Sequence, residues 1–147
     1  MSRLLGLDYG EKTIGVAVSD PLLITANGLE IIRRNDEQSI KKSIARLSEI
    51  IKEYQVTTIV LGFPKNMNNT EGPRCQKTLD FKARLERNFK KIPVVLWDER
   101  LSTVSACIAL GELHFEKKKD VVDKVAATYI LQGYLDKLSK EGGYYDE

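Results

Sequence analysis

The amino-acid sequence predicts an α/β fold, a mixed five-stranded sheet flanked by helices, and three observations carry that expectation. Short apolar runs open the chain in quick succession at 4–7, 14–18 and 29–32. Two further short runs, at 57–62 and 94–97, alternate with stretches of helical period. A chain of 147 residues, 42% hydrophobic and 30% charged, can also bury one substantial core. Strands joined by short connections pair antiparallel, whereas a strand reached through a helix pairs parallel. Strands 1–3 are therefore expected to be antiparallel, and strands 4 and 5 parallel.

Leu4, Leu5 and Leu7 read as the first strand, closed by Asp8. Tyr9-Gly10-Glu11-Lys12 is a turn, and Ile14, Val16 and Val18 alternate with small or polar residues as the second strand. Pro21 to Asn27 turns the chain again, and Leu29, Ile31 and Ile32 begin a third strand ending at Arg33-Arg34. Asn35 or Asp36 caps a helix in which Ile40, Ile44, Leu47, Ile51 and Tyr54 recur at three- and four-residue spacing, opposite a solvated face of Lys41, Lys42, Arg46, Glu49 and Lys52. Thr57 to Gly62 is a β-branched fourth strand. After it, a polar segment with Thr70 as a cap leads into a helix from Pro73 to Phe89, with Leu79, Phe81, Leu85 and Phe89 on one broad side. Val94 to Trp97 is the fifth strand, with Pro93 where a missing N–H is tolerated. Ser102 or Thr103 caps a short helix toward Gly111, a lysine-rich loop follows, and a last helix runs from about Val121 to Leu138. Residues 1–138 are expected to form one domain and 139–147 a flexible tail.

Several functions are excluded by what the chain lacks. No apolar run approaches the roughly 20 residues that span a bilayer, and the N-terminus starts directly into a strand, so a cytoplasmic protein without membrane partners is expected. Cys75 and Cys107 belong to no paired-cysteine motif. His114 is the only histidine and stands in a loop-like Glu-Leu-His-Phe-Glu stretch, which argues against a Ser-His-Asp triad or a Cys/His zinc site. A net charge of +2 permits a nucleic-acid partner without demanding one.

The acids are more informative. Asp8 and Asp98-Glu99 end strands, and Asp123 heads a mainly apolar line with Ala127, Ile130 and Tyr134 in the last helix. Adjacent strand residues point to opposite faces, so one of Asp98 and Glu99 shares a given site. The bland alternatives are a rim ion pair with Arg100, and Asp120 as a helix cap with Asp123 favouring the helix N-terminus. In a parallel arrangement, however, these strand ends and the helix start converge. Clustered carboxylates repel unless cations neutralise them. Oxygen ligands without His or Cys select Mg²⁺ or Mn²⁺. A pair of such ions about 4 Å apart suits phosphodiester hydrolysis, a chemistry that needs no histidine. Lys12, Lys65, Arg100, Lys117, Lys118 and Lys119 fall in loops near the expected rim, where they would hold backbone phosphates.

Four blocks reach a family resemblance. Gly6-Leu7-Asp8-Tyr9-Gly10 with Lys12 and Gly15-Val16-Ala17, Gly62-Phe63-Pro64 with Asn66-Met67, Asp98-Glu99-Arg100-Leu101-Ser102-Thr103, and Val122-Asp123 with Ala126-Ala127 resemble, in order, the signature of the YqgF family. Its members are described as pre-16S rRNA nucleases or Holliday-junction-resolvase-like proteins of ribonuclease H fold. The resemblance implies a ribonuclease H-like fold and a nuclease acting in 5′-end maturation of precursor 16S rRNA. It implies Asp8, Glu99 and Asp123 as catalytic, metal-binding acids, with Asp98 and Asp120 as helpers. Mg²⁺ or Mn²⁺ is the implied cofactor. Precursor rRNA, branched DNA or a ribosomal particle is the implied partner, met by a monomer or homodimer. One departure from ribonuclease H stands out: Gly62-Phe63-Pro64, not an acid, closes the fourth strand. The alternatives are a Holliday-junction-type DNA resolvase and a non-catalytic RNA- or ribosome-binding factor. An actin-like ATPase or sugar kinase also carries Asp-x-Gly at the end of a strand, but binds nucleotide between two large domains.

Overall fold

The structure is a computed structural model that describes residues 3–10, 12–33, 40–63, 73–98 and 118–140, with the backbone alone at 73–75, 98, 118–124 and 140. The elements in order are β1 (Arg3–Tyr9), β2 (Thr13–Ser19), β3 (Ala26–Arg33), α1 (Ile40–Tyr54), β4 (Val56–Phe63), α2 (Pro73–Asn88), β5 (Val94–Asp98) and α3 (Lys118–Lys140). They form one five-stranded sheet in the order β3-β2-β1-β4-β5. β1 pairs antiparallel with β2, and β2 antiparallel with β3. β4 pairs parallel with β1 and with β5. The expected mixed sheet is the observed one.

Period-two alternation divides the sheet's side chains between two cores. Leu5, Leu7, Ile14, Val16, Ile59 and Leu61 face α1 and α2, where they meet Ile44, Leu47, Ile50, Phe81 and Leu85. Leu4, Ala17 and Val60 face the other way and pack on Ala127, Ile130, Leu131 and Leu135 of α3. In α1 the buried residues are Ile40, Ser43, Ile44, Leu47 and Ile50, while Ile51 and Tyr54 flank the cluster half-buried. Phe81 and Leu85 anchor α2 with Phe89 half-buried against the same cluster, whereas the expected Leu79 is half-buried outside it. Gln55 takes a left-handed φ of 54°, the conformation that commonly terminates a helix, so the chain leaves α1 and enters β4 within one residue.

Element boundaries moved where tertiary contacts act. β3 begins at Ala26 rather than near Leu29 because Ala26 N–H donates to Gln132 Oε1 of α3 at 2.9 Å. The helix thereby holds an otherwise weak stretch of strand in place. α3 begins at Lys118, so Lys118 and Lys119 are helical rather than in a loop, and Asp120 stands within the helix instead of capping it from outside. The helix also continues through Ser139 to Lys140, into the segment expected to be a tail. The expected caps at Asn35, Asp36 and Thr70 and the short helix near 102–111 lie outside the described residues. Among the described residues, no helix is long and apolar enough to cross a membrane.

Candidate functional site

Alternation along β1 sends Leu5, Leu7 and Tyr9 into the core under α1 and α2. Leu4 and Gly6 face α3. Asp8 has the parity of Leu4 and Gly6, which puts this carboxylate on the α3 face one residue from the end of the strand. It is 8% exposed, and its Oδ1 oxygen is buried with no hydrogen bond to it, although the residue has other interactions. A carboxylate in such surroundings carries a desolvation cost that a cation offsets.

The surroundings of Asp8 are built from small residues. Its Cα partner in β2 is Gly15. On the other side, Leu7 is paired with Leu61 of β4, and the residue that follows Leu61 is Gly62, itself paired with Trp97 of β5. A row across the sheet therefore reads Gly15, Asp8, Gly62, Trp97, with small residues on both sides of the carboxylate. The ring of Trp97 packs with the α3 core and lies edge-on to Tyr134, centroids 6.4 Å apart at 85°.

Close packing sets the course of α3 over this row. A Cβ added to Gly6 would lie 2.7 Å from Leu131 Cβ and 3.0 Å from the Ala127 carbonyl oxygen, so the helix backbone rests almost directly on β1 there. Later residues of α3 lie toward the start of β1: Gln132 reaches Ala26, which pairs with Ser19, whose hydroxyl accepts from Leu4 N–H at 2.8 Å. Asp123 stands one helical turn before Ala127 in α3. Asp120 lies a further turn back.

Asp98 is the last residue of β5, in register with Phe63. Val94 and Leu96 pack toward α1 and α2, and Trp97 toward α3. Lys12 is exposed in the β1–β2 turn, which closes with Gly10 N–H donating to the Thr13 carbonyl at 2.8 Å. Lys118 and Lys119 form the start of α3. Glu99, Lys65, Arg100 and Lys117 lie outside the described residues. Among the described residues, no three His, Cys, Asp or Glu side chains form a metal-binding group.

One feature of this region belongs to no motif. Tyr9, next to Asp8 but on the opposite sheet face, stacks on Phe81 with centroids 4.2 Å apart and planes 16° from parallel. Beside them is a cleft of about 380 Å³ lined also by Ile40, Lys77, Asp80, Ala83, Arg84 and Arg87. The sequence signal was the spacing of Lys77, Arg84 and Arg87, which places all three on one side of α2.

Comparison with known proteins agrees with this architecture. A family model described as "RuvX: Holliday junction resolvase" matches residues 2–137. A protein of Agathobacter rectalis named "Putative pre-16S rRNA nuclease" is 55% identical over 139 residues, covering 93% of this chain and 96% of the relative. A protein of the same name from Desulfitobacterium hafniense is 49% identical over 147 residues, 99% of each chain. Among solved structures, Thermus thermophilus RuvC bound to a Holliday junction substrate has a TM-score of 0.57 at 13% identity, covering 94% of this chain and 96% of RuvC. The fowlpox virus Holliday junction resolvase gives 0.52 at 16% identity, covering 92% and 99%. These two likenesses show a shared RuvC-like ribonuclease H fold. With its family model matched along almost the whole chain and relatives about half identical over nearly their full length, this protein belongs to the RuvX family, the YqgF family of the sequence resemblance.

Proposed function

We propose that this protein is a metal-dependent phosphodiester hydrolase that trims the 5′ region of precursor 16S rRNA during ribosome biogenesis in the cytoplasm. The observation that carries the reading is the buried Asp8 carboxylate at the end of β1, between Gly15 and Gly62 and facing α3. The names of the half-identical relatives supply the substrate class. A buried hard oxygen donor fits Mg²⁺ or Mn²⁺.

The chain's own residues divide the work as follows. Asp8 of β1 and Asp123 of α3 would hold the cation, with Asp120, one turn earlier in the helix, as an accessory acid. The family resemblance supports Glu99 as the third acid, with Asp98 beside it as a helper. Such cations, when bound as a pair, polarise the phosphate and lower the pKa of an attacking water. Lys12 at the hairpin tip, with Lys65, Arg100, Lys117, Lys118 and Lys119, contacts backbone phosphates and positions the substrate without reading its sequence.

Asp8→Asn replaces the carboxylate with a neutral group of the same shape. We expect Mg²⁺- or Mn²⁺-supported cleavage of RNA carrying a 16S precursor leader to fall by about a thousandfold or more, several kcal/mol of transition-state stabilisation, with the circular-dichroism spectrum unchanged. Cleavage at the wild-type rate would overturn the mechanism. The family model's description favours one second reading, resolution of a branched DNA junction. The same preparations offered a four-way DNA junction separate the two by which substrate is cut.

A further inference from the structure

We infer that the cleft between Tyr9 and α2 is a second nucleic-acid site, which holds a single-stranded segment of the substrate as it leaves the Asp8 site over the edge of the sheet. The inference rests on the nuclease reading for its substrate, but on different residues for its site. Asp8 and Tyr9 are consecutive and face opposite sides of the sheet. A strand seated at Asp8 that crosses the sheet's edge therefore arrives beside Tyr9.

The lining of the cleft matches a nucleotide in two respects. Its floor is apolar and aromatic: Phe81 and Ile40 are buried, and Tyr9 is half-buried against Phe81. Its rim is cationic, with Lys77, Arg84 and Arg87 on one side of α2 against Asp80, the one acid among the described lining residues. Asp80 accepts a hydrogen bond from Gln76 Nε2 at 3.0 Å, which draws its carboxylate toward the neighbouring turn of the helix. From Lys77 to Arg87 the cationic row extends about 15 Å along the helix, long enough to follow several phosphates rather than to bind one. Inorganic phosphate would use the rim and leave the aromatic floor uncovered. An acidic peptide would meet the cations but has no planar group for that floor. A single-stranded nucleic acid uses both, since bases stack on aromatic surfaces and phosphates pair with Lys and Arg.

The test is the affinity of full-length protein for a fluorescent single-stranded oligoribonucleotide in EDTA, where no cleavage occurs. The double variant Arg84→Glu/Arg87→Glu, which changes surface positions of α2, is expected to bind about tenfold or more weakly. Its plot of log affinity against log salt should be shallower by about 1.4, the value for two lost single-strand phosphate contacts. A photoreactive 4-thiouridine in the oligonucleotide should crosslink to the segment holding Tyr9 or to α2. Unchanged affinity and slope with unchanged thermal melting would overturn the proposal. Displacement of crosslinks to other elements, or binding of polyglutamate in place of RNA, would do the same. Because binding is read without metal, an inactive Asp8 site leaves this result intact, and an unchanged double variant leaves the cleavage mechanism intact.

Discussion

Asp20 Oδ1 accepts hydrogen bonds from the N–H groups of Ile24 at 2.8 Å and Thr25 at 3.0 Å, closing the β2–β3 turn and holding Leu23 at a left-handed φ of 60°. These donors, Thr25 foremost, hold the Asp20 carboxyl below its ordinary value of 3.8 although partial burial pulls the other way. A folded-state pKa below the unfolded one contributes stability above the unfolded value, and that contribution is lost as pH falls through the folded one. Asp20→Ala should therefore be less stable than wild type in urea unfolding near pH 7, with the difference shrinking as pH falls below the ordinary carboxyl value of 3.8. At this scale the sequence was most legible where geometry is local. The position of Asp8 near the end of the first strand was legible because a strand end depends on near neighbours. The cations of the α2 cleft were not, because their meaning comes from Tyr9, distant in sequence and brought to Phe81 by the sheet.

At the scale of elements, α3 is held to the sheet by glycines as much as by its apolar stripe. Gly6 lets the helix backbone approach β1, and Gly133 lets it approach the ring of Trp97, whose Cζ2 would lie 2.8 Å from an added Cβ. Gly6→Ala must therefore push α3 away from β1, since the obstructing atoms are Leu131 Cβ and the Ala127 backbone oxygen rather than the end of a flexible side chain. The expected cost is about 1–3 kcal/mol in denaturant unfolding. Trp97 is the only tryptophan, so its fluorescence should shift as the helix moves. Helix faces were harder to read than helix existence. In α1 the spacing correctly indicated Ile40, Ile44 and Leu47, but the buried face turns toward Ile50 and Ser43 because the sheet, not the helix, decides which side it covers.

At the scale of the molecule, one sheet separates two cores that share strands but not side chains: Ile50 belongs to the α1–α2 side and Ile130 to the α3 side. Ile50→Val and Ile130→Val should each destabilise by about 0.5–1.5 kcal/mol, and the double variant should equal their sum within about 0.5 kcal/mol. A larger coupling in denaturant unfolding would show that the sheet transmits strain between its faces. The same partition places Asp8 and Tyr9 on opposite sides of one strand end. By itself, the sequence determined the strands, their pairing sense and the acid that closes the first of them, because period, turn chemistry and connection length are local quantities. Only the tertiary structure decided that α3 crosses β1 at Gly6, that Asp123 is thereby one helical turn from the contact, and that Lys77, Arg84 and Arg87 share a cleft with Tyr9. Those facts follow from close packing between segments distant in the chain, where the size of one residue fixes the position of another.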